Sequence, residues 1–96
     1  MQITDIRVRR VFDNDESLKA IVSITLDEVL AVHDIKVIQG NSRTFVAFPS
    51  KKDDKGVYRD TVHPIFGEVR DRFEREILNA YDAHLALRKI TAVALS

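Results

Sequence analysis

The sequence predicts an α+β fold: an antiparallel β-sheet of four to five strands followed by one C-terminal amphipathic helix. Three observations carry that expectation. Apolar and polar residues alternate through the first half of the chain, the period of half-buried strands. Short polar or glycine-containing breaks separate the alternating runs. Beyond Pro64, apolar residues recur at intervals of three and four, the period of a helix buried on one face.

Gln2 to Phe12 reads as the first strand, with Thr4, Ile6 and Val8 on one face and Asp5, Arg7 and Arg9 on the other. Asp13 to Ser17 is a polar turn. Leu18 to Leu26 alternates again: Leu18, Ala20, Val22, Ile24 and Leu26 share a face, opposite Lys19, Ser23 and Thr25. Two such strands around a short turn predict an antiparallel hairpin. Asp27 and Glu28 break the chain before a third strand, about Val29 to Gln39. Strict alternation puts Leu30, Val32 and Ile38 on one side of it and Ala31, Ile35 and Val37 on the other. A strand apolar on both faces is covered on both, so part of this surface is expected to meet a second subunit. Gly40-Asn41-Ser42 is a turn, and Thr44 to Phe48 is a fourth strand stopped by Pro49.

Ser50 to Asp60 is the most polar stretch, with a turn at Lys55-Gly56 and a fifth short strand from Val57-Tyr58 expected beside the fourth. The helix is expected from near Pro64 to about His84, its apolar stripe formed by Phe66, Val69, Phe73, Ile77, Ala80 and His84. Glu68–Arg72 and Asp71–Arg75 are acid-before-base pairs for its exposed side. Residues 1–84 thus form one domain, and 85–96 an apolar tail that extends the helix, adds a strand or packs on a partner.

A chain of 96 residues buries roughly 60–65% of its unfolded surface, so its core is thin and oligomerisation is the natural extra support. Cysteine is absent, which excludes disulfides, a thiol nucleophile and cysteine-ligated metal. Arg7, Arg9 and Arg10 near the start are unlike a signal peptide, and no run is apolar enough to span a membrane; a cytoplasmic protein is expected. Fifteen basic residues balance fifteen acidic ones, so any attraction for nucleic acid must come from a local patch.

Catalytic signals are weak. His33 has no second metal ligand at suitable spacing, and a locally bonded buried or interface histidine is the simpler reading. Asp60 and His63 resemble the orienting half of a general-base pair, but no nucleophile or oxyanion hole accompanies them. His84 suits the negative end of the helix dipole. No phosphate-binding glycine loop exists. The expectation is therefore no enzyme, no cofactor, no metal and no small-molecule substrate.

The basic residues say more. Lys51, Lys52, Lys55 and Arg59 cluster in the polar loop, with Arg43 upstream and Arg7 and Arg9 on one strand face. Lysines projecting from a sheet edge reach phosphates as point charges. Interleaved Asp53, Asp54 and Asp60 dilute the patch, so the residues alone favour a solvated loop that guards a sheet edge. A symmetric dimer would double the patch and shift the balance toward binding.

Several runs together resemble a known family. ITDIRVRRV (3–11), KAIVSITLDEVLAVHDIKVIQG (19–40) and FVAFPSKKDDKGVYRDTVHPI (45–65) resemble the SpoVG family of stage V sporulation and septation proteins. The resemblance implies a bacterial homodimer that binds DNA, and RNA in some members, and regulates gene expression, with links to septation and sporulation. It places nucleic-acid contacts on Lys51, Lys52, Lys55 and Arg59, and on Arg70, Arg72 and Arg75 of the helix. The dimer interface is expected on Leu30, Val32, Ile35 and Val37. The alternative is a protein-interaction adaptor of the division machinery without direct nucleic-acid binding. Two departures stand out. Phe66-Gly67 replaces the Asn-Ser that commonly follows HPI and can cap the helix, leaving Thr61 or a shifted start for that role. Ile90 to Leu95 is apolar where family tails are often polar or acidic.

Overall fold

The structure, a computed structural model, describes residues 1–13 and 16–95, with residues 89–95 as backbone only. The tip of the first turn, Asn14-Asp15, and the side-chain contacts expected of the apolar tail lie outside the described residues. Four strands form an antiparallel meander in the order β1-β2-β3-β4: β1 (Ile3–Val11), β2 (Leu18–Leu26), β3 (Leu30–Gln39) and β4 (Thr44–Ala47). A separate two-stranded hairpin, β5 (Ser50–Lys52) with β6 (Tyr58–Asp60), leads to the helix α1 (Gly67–Leu95).

Alternation selects the covered face of β2. Ala20, Val22, Ile24 and Leu26 are buried and share the core with Phe73, Ile77 and Tyr81 of the helix. The helix tracks β1, with Arg72 Nη2 donating to the Met1 carbonyl at 2.8 Å and Arg88 Nη2 reaching Asp13 at 3.1 Å. On the other side, Glu74 Oε1 accepts the Val46 N–H at 3.1 Å, which occupies a backbone donor on edge strand β4. The turn between β2 and β3 holds Asp27 and Glu28 at φ of 51° and 61°, the pair of positive values a type I′ turn needs. It is stapled to β1 by Asp27 Oδ1 accepting the Gln2 N–H (2.8 Å) and Thr4 Oγ1 accepting the Glu28 N–H (3.0 Å).

The two-faced third strand is not what forms. Val22 pairs with Ile35 and Ile24 with Val32, so Ser23 alone faces both His33 and Asp34. Asp34 occupies the left-handed region at φ 62°. This β-bulge advances the alternation by one residue. Val32, Ile35 and Val37 therefore all lie in the core under the chain's own helix. A second bulge adds Arg9 to β1, because Val8 pairs with Val22 and Arg10 with Ile21.

The fifth strand also departs from expectation. Tyr58–Asp60 pairs with Ser50–Lys52, not with β4. Pro49 has no N–H to continue the β4 ladder, and its carbonyl instead accepts the Thr61 N–H (2.8 Å) and hydroxyl (3.1 Å), closing the base of a new hairpin. Thr61 thus does not cap the helix. The first helical bond runs from the Arg70 N–H to the Phe66 carbonyl at 3.0 Å, so the helix starts after Phe66, which stays exposed. Its buried stripe is Phe73, Ile77 and Tyr81, with Val69, Leu78 and Leu85 packed alongside. The backbone remains helical through Leu95, so residues 85–95 extend the helix. No described helix is long and apolar enough to cross a membrane.

Candidate nucleic-acid interface

The polar loop is ordered by one carboxylate. Asp53 Oδ1 accepts the backbone N–H groups of Lys55 and Val57, each at 2.9 Å, while Oδ2 receives Arg59 Nε at 2.9 Å. The backbone closes the same turn, with the Asp53 N–H on the Val57 carbonyl (2.8 Å) and the Gly56 N–H on the Asp53 carbonyl (3.0 Å). Gly56 sits at φ 81°, where a side chain would be strained. The Arg59 guanidinium, then the Val57 and Lys55 N–H groups, hold the Asp53 carboxyl below its ordinary value of 3.8.

This network sorts the basic residues. Lys51, Lys52 and Lys55 are exposed on the hairpin and make no ion pair among the described residues. Lys51 stands directly across the ladder from Arg59, whose charge is taken up by Asp53. Arg70 is a tether: its guanidinium lies 3.8 Å from Asp60 and 5.2 Å from the Phe48 ring centre, tying the hairpin base to the first helical turn. Arg72 is occupied with the Met1 carbonyl, and its guanidinium also lies 5.4 Å from the Phe73 ring centre. Arg75 is exposed on the helix. The seven cations named from the sequence thus divide into three free lysines, one exposed arginine, and three arginines with structural partners.

Neither expected acid–base pair, Glu68–Arg72 or Asp71–Arg75, is an ion pair among the described residues; Arg72 reaches the Met1 carbonyl instead. Asp60 turns to Arg70, and His63 Nδ1 donates to the Pro64 carbonyl at 2.9 Å; no bond joins Asp60 to His63 among the described residues. No group of three metal-ligating side chains gathers among the described residues.

Of the residues expected at a dimer interface, Val32, Ile35 and Val37 are buried within the subunit, Ile35 and Val37 at 0% exposure. Leu30 alone is available, at 51% exposure. It belongs to an apolar end of the molecule that sequence reasoning did not assemble. A concavity of ≈ 190 Å³ there is lined by Met1, Leu30, Phe48, Val62 and Pro64, and Val29, Ile65 and Phe66 are exposed at neighbouring positions.

Residues 1–83 match the SpoVG family. A protein of Lachnoclostridium phytofermentans named "Putative septation protein SpoVG" is 52% identical over 82 residues, covering 85% of this chain and 87% of its own. Proteins of the same name from Desulforudis audaxviator and Staphylococcus aureus strain JH9 are each 45% identical over 82 residues, covering 85% of this chain and 92% and 81% of theirs. With a family match through residue 83 and relatives at this level of identity, the chain belongs to the SpoVG family.

Proposed function

We propose that this protein is a homodimeric nucleic-acid-binding regulator of gene expression, acting in the control of septation that its relatives' name invokes. The observation that carries the reading is the hairpin. Asp53 and Arg59 order its tip, Arg70 and Asp60 fix its base, and Lys51, Lys52 and Lys55 are left with free charges. A preorganised cationic projection suits a phosphate backbone, because ordering its backbone costs little on binding. Self-association doubles the three lysines and draws support from the exposed apolar end around Leu30, Ile65 and Phe66.

Fluorescence anisotropy against duplex DNA and single-stranded RNA, over a salt series, tests this. The Lys51→Ala/Lys52→Ala variant should bind more weakly and lose roughly 0.9 of the logarithmic salt slope on duplex DNA for each phosphate contact removed. Equal affinity and slope for both proteins at matched salt would remove the hairpin from the function. Sedimentation as a monomer at micromolar concentration would remove the dimer.

The same apolar end favours a second reading, an adaptor that captures a protein of the division machinery. Under that reading Phe66→Ser abolishes partner capture and leaves the anisotropy titration unchanged.

A further inference from the structure

The sheet face away from the helix holds a second cluster, beside two of the four register irregularities of the ladder. Ser23 is only 6% exposed. Its hydroxyl accepts Arg9 Nε at 3.4 Å and lies 2.9 Å from His33 Nδ1. The three residues come from three adjacent strands: Ser23 pairs with Arg7 on β1 and faces the His33-Asp34 bulge on β3, while Arg9 is the bulged residue two positions further along β1. Bulges re-aim side chains and are common beside functional sites. The non-glycine αL residue Asp34 is a conformation that persists only where its surroundings hold it.

The hydrogen-bond directions matter. Ser23 Oγ accepts from Arg9 and keeps a proton that it can donate to His33 Nδ1. In the tautomer that receives that proton at Nδ1, the imidazole proton sits on Nε2, the nitrogen turned from the serine. Among the described residues Arg9 bonds through Nε alone, which leaves its outer guanidinium nitrogens for a ligand. Arg7 likewise uses Nε, on Asp5 at 2.9 Å. These groups line a groove of ≈ 180 Å³ with Thr25. Its one carboxylate, Asp5, is already bonded to Arg7. Lys36 and Arg10 flank Ile21 in the adjacent row of the same face. The groove is thus rich in N–H donors, with an excess of positive charge in a chain whose formal net charge is zero.

We propose that this groove binds a phosphoryl oxyanion, with Arg9, Arg7 and His33 Nε2 as donors and Ser23 as the buried hub that orients Arg9 and His33. Guanidinium forks match the geometry of phosphate oxygens, and charge-assisted bonds are the strong ones. The site is separate from the lysine hairpin and does not depend on it.

The test is an NMR titration with inorganic phosphate, against sodium chloride at matched ionic strength, following the His33 ring and the Ser23 amide. Saturable shifts confined to the groove are expected. Arg9→Gln should weaken them about tenfold and Arg7→Gln less, with the core amides unmoved. Lys51→Ala/Lys52→Ala should leave them unchanged. If Arg9→Gln fails to fold, Arg7→Gln carries the readout. Shifts reproduced by chloride, or undiminished in both arginine variants, would overturn the proposal. A single-stranded oligonucleotide at equal phosphate concentration separates the sources. Shifts of the same resonances that shrink in Arg9→Gln support the groove as a phosphodiester site. Shifts from inorganic phosphate and a phosphomonoester, without the oligonucleotide, support it as a site for a small phosphorylated ligand.

Discussion

The two faces of the four-stranded sheet are made from the same strands by different rules. Under the helix, Ala20, Val22, Ile24, Ile35 and Val37 meet Phe73, Ile77 and Tyr81 in a dry core. On the other face, Arg7, Arg9, Ser23 and His33 line an open polar groove. The covered face follows from strict period-two alternation wherever the ladder is regular. The open face takes its character from the places where the ladder is irregular, because each bulge adds a residue that the core does not need. The meander can therefore keep its core in register and still vary the chemistry of its outer surface.

The sharpest way to break this comparison is to cut each face by a similar amount. Ile77→Ala removes a fully buried side chain and should cost about 2–5 kcal/mol in urea unfolding, enough to threaten a chain of this size. Lys36→Ala on the open face should move stability by no more than about 0.5 kcal/mol. Equal losses from the two would mean that the open face is packed in solution, as a subunit interface is.

Much of the fold was legible in the sequence for the same reason. β2 alternates regularly on its core face from Ala20 to Leu26, and its limits are read from the pattern; Leu18 falls outside the core because the register shifts at Lys19, with Leu18 opposite Ile38 and Ala20 opposite Val37. β3 departs from strict alternation because His33 and Asp34 together face Ser23. The spacing of Val32, Ile35 and Val37, three and then two, is the trace of a bulge, and Asp34 is a residue that tolerates the conformation required. The hairpin's pairing was hidden because three-residue strands carry no period. Its lysines were legible as a cluster. The engagement of Arg70 and Arg72 was not, since Asp60 and the Met1 carbonyl reach the helix only through the tertiary fold, and Arg59 meets Asp53 only once the hairpin turn closes.

Asp34 offers a finer test of how the faces are separated. Asp34→Gly should be close to neutral, because glycine adopts φ 62° without a Cβ penalty. Asp34→Val should cost about 1–2 kcal/mol, the penalty of an ordinary side chain in the left-handed region. Thermal unfolding of both variants checks this. A valine variant as stable as the parent would mean that β3 runs without its bulge, and the pairing of Ser23 with His33 would then be lost as well.

The hairpin β5–β6 extends the contrast, because none of its strand residues is buried and a polar network holds its tip. Arg59 first, and then the Val57 and Lys55 N–H groups, depress the Asp53 carboxyl, so the folded hairpin favours the ionised form. The sign follows from linkage. A carboxyl held below its unfolded value contributes fully above that value, and the contribution fades as pH falls through the lower folded one. Backbone amide shifts of Lys55, Gly56 and Val57 should therefore stay constant from neutral pH down to the ordinary carboxylate value of 3.8, and move together only below it. The core amides of β2 should not follow at that step, since no hydrogen bond joins Asp53 to the sheet. A tip that already loosens between pH 7 and 5 would show that Asp53 is not what orders it. The lysines would then approach nucleic acid from a flexible loop, and binding would carry the entropy cost of ordering that loop.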